Sequence, residues 1–225
     1  MRFDHLRIPA ADPDALRRWY GSLFGVDETL GDDRQAVRLG ETTLQFEQAD
    51  ASPPIHLAVR LLVDAETAVD RLAERATIIP VDGEPSRWFE FLRATAIYFD
   101  DAAGNVLEGL CYDGDPRQSA DDGLADGEWV DGVTEVGLPA HEPLALVEWL
   151  EGTVGLSAWG TPSETFAWVG DRQARFVVVP AGRAWYPTDR DAGVAPISVR
   201  LDADAATPDR HVHPTLPYEI VVDER

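Results

Sequence analysis

Glu108 lies in Val106-Leu107-Glu108-Gly109-Leu110-Cys111-Tyr112, a stretch that alternates as a β-strand does. Val106, Glu108, Leu110 and Tyr112 then share one face. A carboxylate flanked there by Val, Leu and Tyr requires something cationic to meet it. A divalent metal ion would serve, and two imidazoles far upstream, His5 and His56, could complete its ligand set. Each sits in a stretch that reads as a strand, and the successive intervals to Glu108 are about 50 residues. Two imidazoles and a carboxylate with coordination positions left open suit Fe(II), Mn(II), Ni(II) or Zn(II).

Side chains so distant converge only if their strands line one cavity, so the order of elements matters. Phe3–Ile8 reads as a strand with Phe3, His5 and Arg7 on one face. Asp12-Pro13 is an N-cap followed by proline in the first turn of a helix. Leu16, Trp19, Tyr20 and Leu23 form its apolar stripe, and Gly25 ends it. Ala36–Leu39 and Thr42–Gln48 follow as short strands, with room for another around Val26–Leu30. After Pro53-Pro54 the order begins again, with a strand at Ile55–Leu62 and a helix capped by Asp64 that carries Ala65, Ala68, Val69 and Leu72. Ala76–Val81, Phe89–Ala94 and Ala96–Phe99 supply further strand material. Asp101–Asn105 is a tight turn, because Gly104 and Asn105 tolerate positive φ, and Val106–Tyr112 closes the unit.

Asp113–Asp131 is acidic, rich in Gly, Pro and Ser, and without period, which predicts a linker between a domain at 1–112 and a second at 132–225. Beyond it, Val133–Ala140 echoes Phe3–Ala10, and Ala195–Leu201 echoes Pro53–Val59. Pro143 opens a helix with Leu146, Val147 and Leu150 that ends at Gly155. Thr165–Val169 and Arg175–Val179 predict a hairpin. After Leu201 there is one more strand, Tyr218–Val222, and no good helix. Four copies of one unit, the last truncated, decide the architecture.

Asp and Glu number 41 against 19 basic residues, all of them Arg, for a formal net charge of -22. Such a surface excludes nucleic acids and anionic membranes as partners. The acidity resembles that of proteins from salt-loving archaea, whose concentrated cytoplasm screens the self-repulsion. Cys111 is alone, which fits a reducing cytoplasm. A hydrophobic fraction of 44% supports a globular core. No apolar run approaches a membrane span, and the first residues hold no signal-peptide hydrophobic region.

The repeat and the spaced His, His and Glu resemble the vicinal oxygen chelate superfamily, which includes glyoxalase I, bleomycin- and fosfomycin-resistance proteins and extradiol dioxygenases. The resemblance implies an α+β fold in which paired βαβββ modules form a cup-shaped mixed β-sheet around one metal ion. It covers 1–112 well and 133–225 loosely, and the Asp101 turn with Glu108 after it carries most of it. Family ligands come from the first and last strands of each module. Carried over by position they are His5, His56 and Glu108, with Gln45 in Thr43-Leu44-Gln45-Phe46 as the fourth, or Glu47 on the same face in its place. Arg7 and Arg60 share faces with His5 and His56. They either hold a substrate carboxylate or emerge at the rim and pair with acids. Tyr112, on the Glu108 face, is a candidate acid or hydrogen-bond donor, and Trp88, Phe89 and Phe91 either wall a pocket or pack in the core. In the second half Glu135, Ser198 and Glu219 stand where His5, His56 and Glu108 stand, which predicts no metal site there. His211 and His213 would share a face if extended, but the prolines around them predict a loop.

Three functions stay open. One is a metal-dependent enzyme of the glyoxalase or dioxygenase kind, whose small oxygenated substrate chelates the metal through two adjacent oxygens. The second is a metal-free drug- or metabolite-binding protein of the bleomycin-resistance type. The third is a structural domain with vestigial ligands. An extradiol dioxygenase would need a further His as acid, and His141, His211 and His213 lie on no strand of the expected cup, which favours a lyase, isomerase or transferase.

Overall fold

The computed structural model describes residues 1–26, 35–118, 124–204 and 206–223. The first unit contains β1 (Arg2–Ala10), α1 (Pro13–Phe24), β2 (Ala36–Leu39) and β3 (Thr42–Gln48). Asp12 Oδ1 accepts the Ala15 N–H at 2.9 Å, and Gly25 ends the helix at φ 69°. Of the further strand expected around 26–30, residues 27–30 lie outside the described residues. The second unit contains β4 (His56–Leu61), α2 (Ala65–Ala73), β5 (Ile78–Ile79), β6 (Arg87–Phe89), β7 (Ala94–Asp100) and β8 (Val106–Tyr112). Asp64 caps α2 through the Thr67 N–H at 2.8 Å. Phe89–Ala94 is not one strand: β6 ends at Phe89, and the chain turns through Arg93 at φ 50° before β7 begins.

The third unit contains β9 (Val130–Ala140), α3 (Pro143–Trp149), a π-helical turn (Leu150–Val154), β10 (Ala158–Trp159), β11 (Ala167–Gly170) and β12 (Arg175–Pro180). The fourth keeps only β13 (Ile197–Asp202), β14 (Asp209–Val212) and β15 (Tyr218–Val222). The fold is thus α+β, mostly sheet, with the unit repeated and its last copy shortened. No helix is long and apolar enough to cross a membrane among the described residues.

Two open sheets result. The smaller runs β14-β15-β13-β1-β3-β2 and the larger β10-β11-β12-β9-β4-β8-β7-β5, with β6 on β7. The first unit therefore pairs with the fourth through β1·β13, and the second with the third through β4·β9. The expected pairing of the two units inside 1–112 does not form. Strand β4 has its two edges taken by β8 and β9, and β1 has its own taken by β3 and β13. Pro53-Pro54, which donate no backbone hydrogen bonds, carry the chain from β3 in one sheet to β4 in the other.

The segment 113–131 is not a plain linker. Trp129 is fully buried against Phe24, at 5.3 Å between ring centroids, and its indole N–H donates to the Phe24 carbonyl at 3.1 Å. Gln118 donates to the Val63 carbonyl at 2.7 Å, and β9 already begins at Val130. The two units of 1–112 are also tied at the Asp101 turn. Asp101 Oδ1 accepts the N–H groups of Ala103 and Asn105, while Oδ2 accepts the Asn105 amide and the Tyr20 hydroxyl, the latter at 3.1 Å. Asn105 Oδ1 in turn accepts the Ile55 N–H at 2.9 Å, which fixes the start of β4.

Replacing Trp129 with Ala removes a buried indole and its hydrogen bond. We expect it to lower the unfolding free energy by about 3–5 kcal/mol in a denaturant titration at constant salt. A loss below about 1 kcal/mol would show that the segment before β9 is loosely attached.

Candidate functional site

One row of residues crosses five strands of the larger sheet in register. Tyr98 on β7 pairs with Glu108 on β8, Glu108 with Ala58 on β4, Ala58 with Glu135 on β9, and Glu135 with Arg175 on β12. Paired residues share a face, and His56, two residues before Ala58, shares it too. The row therefore places an imidazole, two carboxylates and a guanidinium side by side, and all four residues are buried.

The imidazole lies between the carboxylates. His56 Nε2 is 3.5 Å from Glu108 Oε2 and 3.8 Å from Glu135 Oε2. Its Nδ1–H donates to the Val106 carbonyl at 3.1 Å, which turns Nε2 toward the acids. Trp185 stacks on the ring with 5.3 Å between centroids and donates its own N–H to the Pro54 carbonyl at 2.9 Å. Gly137 leaves room for that indole: a Cβ there would lie 2.5 Å from the Trp185 ring and 3.2 Å from His56 Cβ. Tyr98 donates to Glu108 Oε1 at 2.9 Å. Arg175 donates to Glu135 Oε1 and, at 3.3 Å, to the Tyr112 hydroxyl. Its guanidinium also faces the rings of Trp159 and Trp168 at 5.1 and 5.3 Å.

These contacts set the protonation of each group. Burial disfavours the imidazolium of His56, but Glu108 and Glu135 outweigh it and raise the pKa to about 9. Burial likewise opposes ionisation of Glu135, and the Arg175 charge overrides it, holding that carboxyl below its usual range. Glu108 has no guanidinium; burial, aided by the charge of Glu135, outweighs His56 and pushes it up. The Tyr98 hydroxyl is raised by burial and by Glu108, so it stays a donor.

The donor set suits a divalent cation. One ligand atom from each of His56, Glu108 and Glu135 lies within 4.8 Å of the others. Two donors at about 2.1 Å from one ion sit no more than about 4 Å apart, a span that the two imidazole–carboxylate separations meet. The group floors a cavity of about 240 Å³ walled by Phe89, Tyr98, Trp168, Val177, Trp185 and Tyr186. The β4·β9 junction relates His56 to Glu135 and Ala58 to Gly137. Val177, beside Gly137, then holds the place that Glu108 holds beside Ala58. Three of four equivalent positions carry donors and the fourth is apolar.

Of the residues nominated from sequence, His56 and Glu108 come together here. His5 and Gln45 do not join them: both are on the smaller sheet, where the ring of His5 and the Gln45 side chain are 2.9 Å apart. Arg7 is on that sheet as well, 3.3 Å from Gln45 and 3.2 Å from Glu47, at a partly exposed rim. Trp88 and Phe91 are largely exposed, while Phe89 walls the cavity. His211 lies on β14 rather than in a loop. Arg60 and Tyr112 share the face of His56 and Glu108 but lie four residues further along their strands, roughly 13 Å away, and line a different cavity. Glu135 and Arg175 are the members that the sequence reading missed. Glu135 stands in the apolar run Val133–Leu138, the same anomaly that marks Glu108.

No protein-family model matches the chain, and no curated protein sequence matches it. Solved structures do. A putative dioxygenase from Bacillus subtilis superposes with a TM-score of 0.59 at 15% identity, covering 100% of this chain and 86% of its own. A mutant of glyoxalase I from Zea mays gives 0.55 at 14% identity, covering 98% and 92%. The chain shares the fold of these two structures. Within that fold the cup built from the second and third units holds the clustered donors. In the other cup the equivalent places carry His5, Gln45, Ser198 and Val221.

Arg175 is the only cation hydrogen-bonded to Glu135 among the described residues. An Arg175→Met protein should lose about 3–5 kcal/mol of stability at neutral pH. Adding Glu135→Gln should recover most of that loss in a double-mutant cycle. Additive losses would show that the pair does not act as a unit.

Proposed function

We propose that this protein is a metal-dependent enzyme of the glyoxalase or dioxygenase kind, acting on a small oxygenated molecule in the aromatic-walled cavity. The observation that carries the proposal is the buried His56, Glu108 and Glu135 triad at the cavity floor. It agrees with what the solved neighbours are called, a putative dioxygenase and a glyoxalase I. Those three residues would hold the cation. When bound, an Fe, Mn, Ni or Zn ion supplies Lewis-acid polarisation of two adjacent substrate oxygens.

The remaining steps belong to the chain. Arg175 keeps Glu135 ionised, so that carboxylate is committed to charge and not to proton transfer. Glu108, which has no guanidinium partner and stands across from the open place at Val177, is the group suited to take a proton from the substrate, and the Tyr98 hydroxyl, donating at 2.9 Å, steadies the carboxylate that does so. Trp185 holds the imidazole plane and, with Tyr186 and Phe89, keeps water from the floor. Val177 leaves its side of the site free for substrate.

A metal-free binding protein is the second reading, and one observation favours it. With His56 protonated, His56 and Arg175 together balance the charges of Glu108 and Glu135 without any ion. Elemental analysis after purification in high salt without chelators separates the two. The wild type and His5→Ala should each carry about one transition-metal ion per chain, and Glu108→Ala and Glu135→Gln should lose it. Equal metal in the wild type and Glu108→Ala would overturn the metal-dependent reading.

A further inference from the structure

The face of the larger sheet that carries the triad holds a second cavity, of about 460 Å³. Arg60 and Tyr112 line it, with residues 113–117 and 131–134 on one side and Arg172 on another. Arg60 is more than nine-tenths buried. Its guanidinium carbon stands 4.6 Å from the centre of the Tyr112 ring, and that of Arg172 stands 5.5 Å from the same ring.

The charges around this ring are poorly matched. Arg60 Nε has no hydrogen-bond partner. Its nearest carboxylates, on Asp115 and Asp131, are each 3.8 Å away, beyond hydrogen-bond range. Both already serve Arg117, at 3.3 and 2.9 Å. The other acids lining the cavity are engaged as well: Asp113 by Arg93, and Glu41 by Arg2 at 3.7 Å. Arg172 meets no carboxylate within ion-pair distance among the described residues. In a chain with 41 acids to 19 basic residues, neutralising partners are abundant. Arg60, which shares two carboxylates with Arg117 at 3.8 Å and hydrogen-bonds neither, and Arg172, with no ion pair among the described residues, stand over one ring in one cavity and form a receptor for negative charge from outside the chain.

We infer that this cavity binds a small ligand through its carboxylate or phosphate group, held between Arg60 and Arg172. It is separate from the triad, since Arg175 stands between the two and contacts each, donating to Glu135 on one side and to Tyr112 on the other. The inference does not depend on a metal in the triad.

The test is calorimetric titration with citrate and with inorganic phosphate, at an ionic strength held constant with sodium chloride. At least one anion should bind saturably at about one per chain. Citrate binding alone identifies a carboxylate ligand and phosphate binding alone a phosphate ligand. Arg172→Gln, a change at an exposed side chain that leaves the buried Arg60 in place, should weaken binding about tenfold. Arg210→Gln, which removes a similar charge on the smaller sheet, should leave it unchanged. So should Glu108→Ala, which disables the triad. Failure of both anions to saturate, or equal binding by the wild type and Arg172→Gln, would overturn the inference. Loss of binding in Arg210→Gln as well would reduce it to general charge attraction, and so overturn it too.

Discussion

Two carboxylates buried within ion-pair distance of one imidazole constrain everything near them. Glu108 and Glu135 stand on strands at either side of β4, and each ionised acid needs positive charge within a few ångströms. The chain provides it unequally. Arg175, wholly buried and backed by the faces of two tryptophans, is given to Glu135. Glu108 receives a hydroxyl from Tyr98 and the imidazole edge of His56, but no guanidinium. The two acids are therefore chemically different although the register puts them in one row.

That row exists because strands from distant parts of the chain lie in register. Turn chemistry helps to set it. The Asp101 carboxylate gathers the Asn105 backbone and amide, and the other end of the Asn105 amide holds the Ile55 N–H. Val106 then closes on β4 twice, through its N–H to Ile55 and its carbonyl to the His56 ring. One five-residue turn thus fixes the height of β8 against β4, and with it the spacing of Glu108 from His56. Tyr20 carries the same turn onto the first helix, so α1, on β1, braces a site built from the other sheet.

Local signals were legible in the sequence. Asp12, Asp64, Gly25 and the alternation around Glu108 act within a few residues, and they specify caps, ends and faces wherever the unit finally packs. Which unit pairs with which is a different kind of fact. His5 and His56 occupy equivalent places in equivalent strands, so repeat spacing makes them look like partners, yet each strand takes its antiparallel neighbour from the far half of the chain. That choice depends on which strand edges remain open after β3 and β8 have docked in parallel, and no short stretch of residues encodes it. Glu135 and Trp129 show the converse. Both were visible, one as a carboxylate in an apolar run and the other as an aromatic beside Val130, but an expected linker and an expected inert half hid their weight.

The two cups then illustrate how a duplicated unit diverges. At the equivalent places of the smaller sheet the His5 imidazole meets the Gln45 amide, and Ser198 and Val221 occupy the remaining two. Among the described residues those four places carry no carboxylate to require a cation, and the nearby Arg7 settles on Glu47 at the rim. In the larger sheet the charge does accumulate. With a neutral imidazole, Arg175 cancels one carboxylate and a single negative charge remains. Either a proton on His56 or a divalent ion bound through Nε2 can meet it, but not both, because each uses the same lone pair. The proton leaves the floor neutral, whereas the ion leaves it with one positive charge. Under the proposed metal-dependent reading, the second state would draw an anionic or oxygen-rich ligand to the open side at Val177 more strongly than the first, so proton and metal compete at one nitrogen for the charge of the floor.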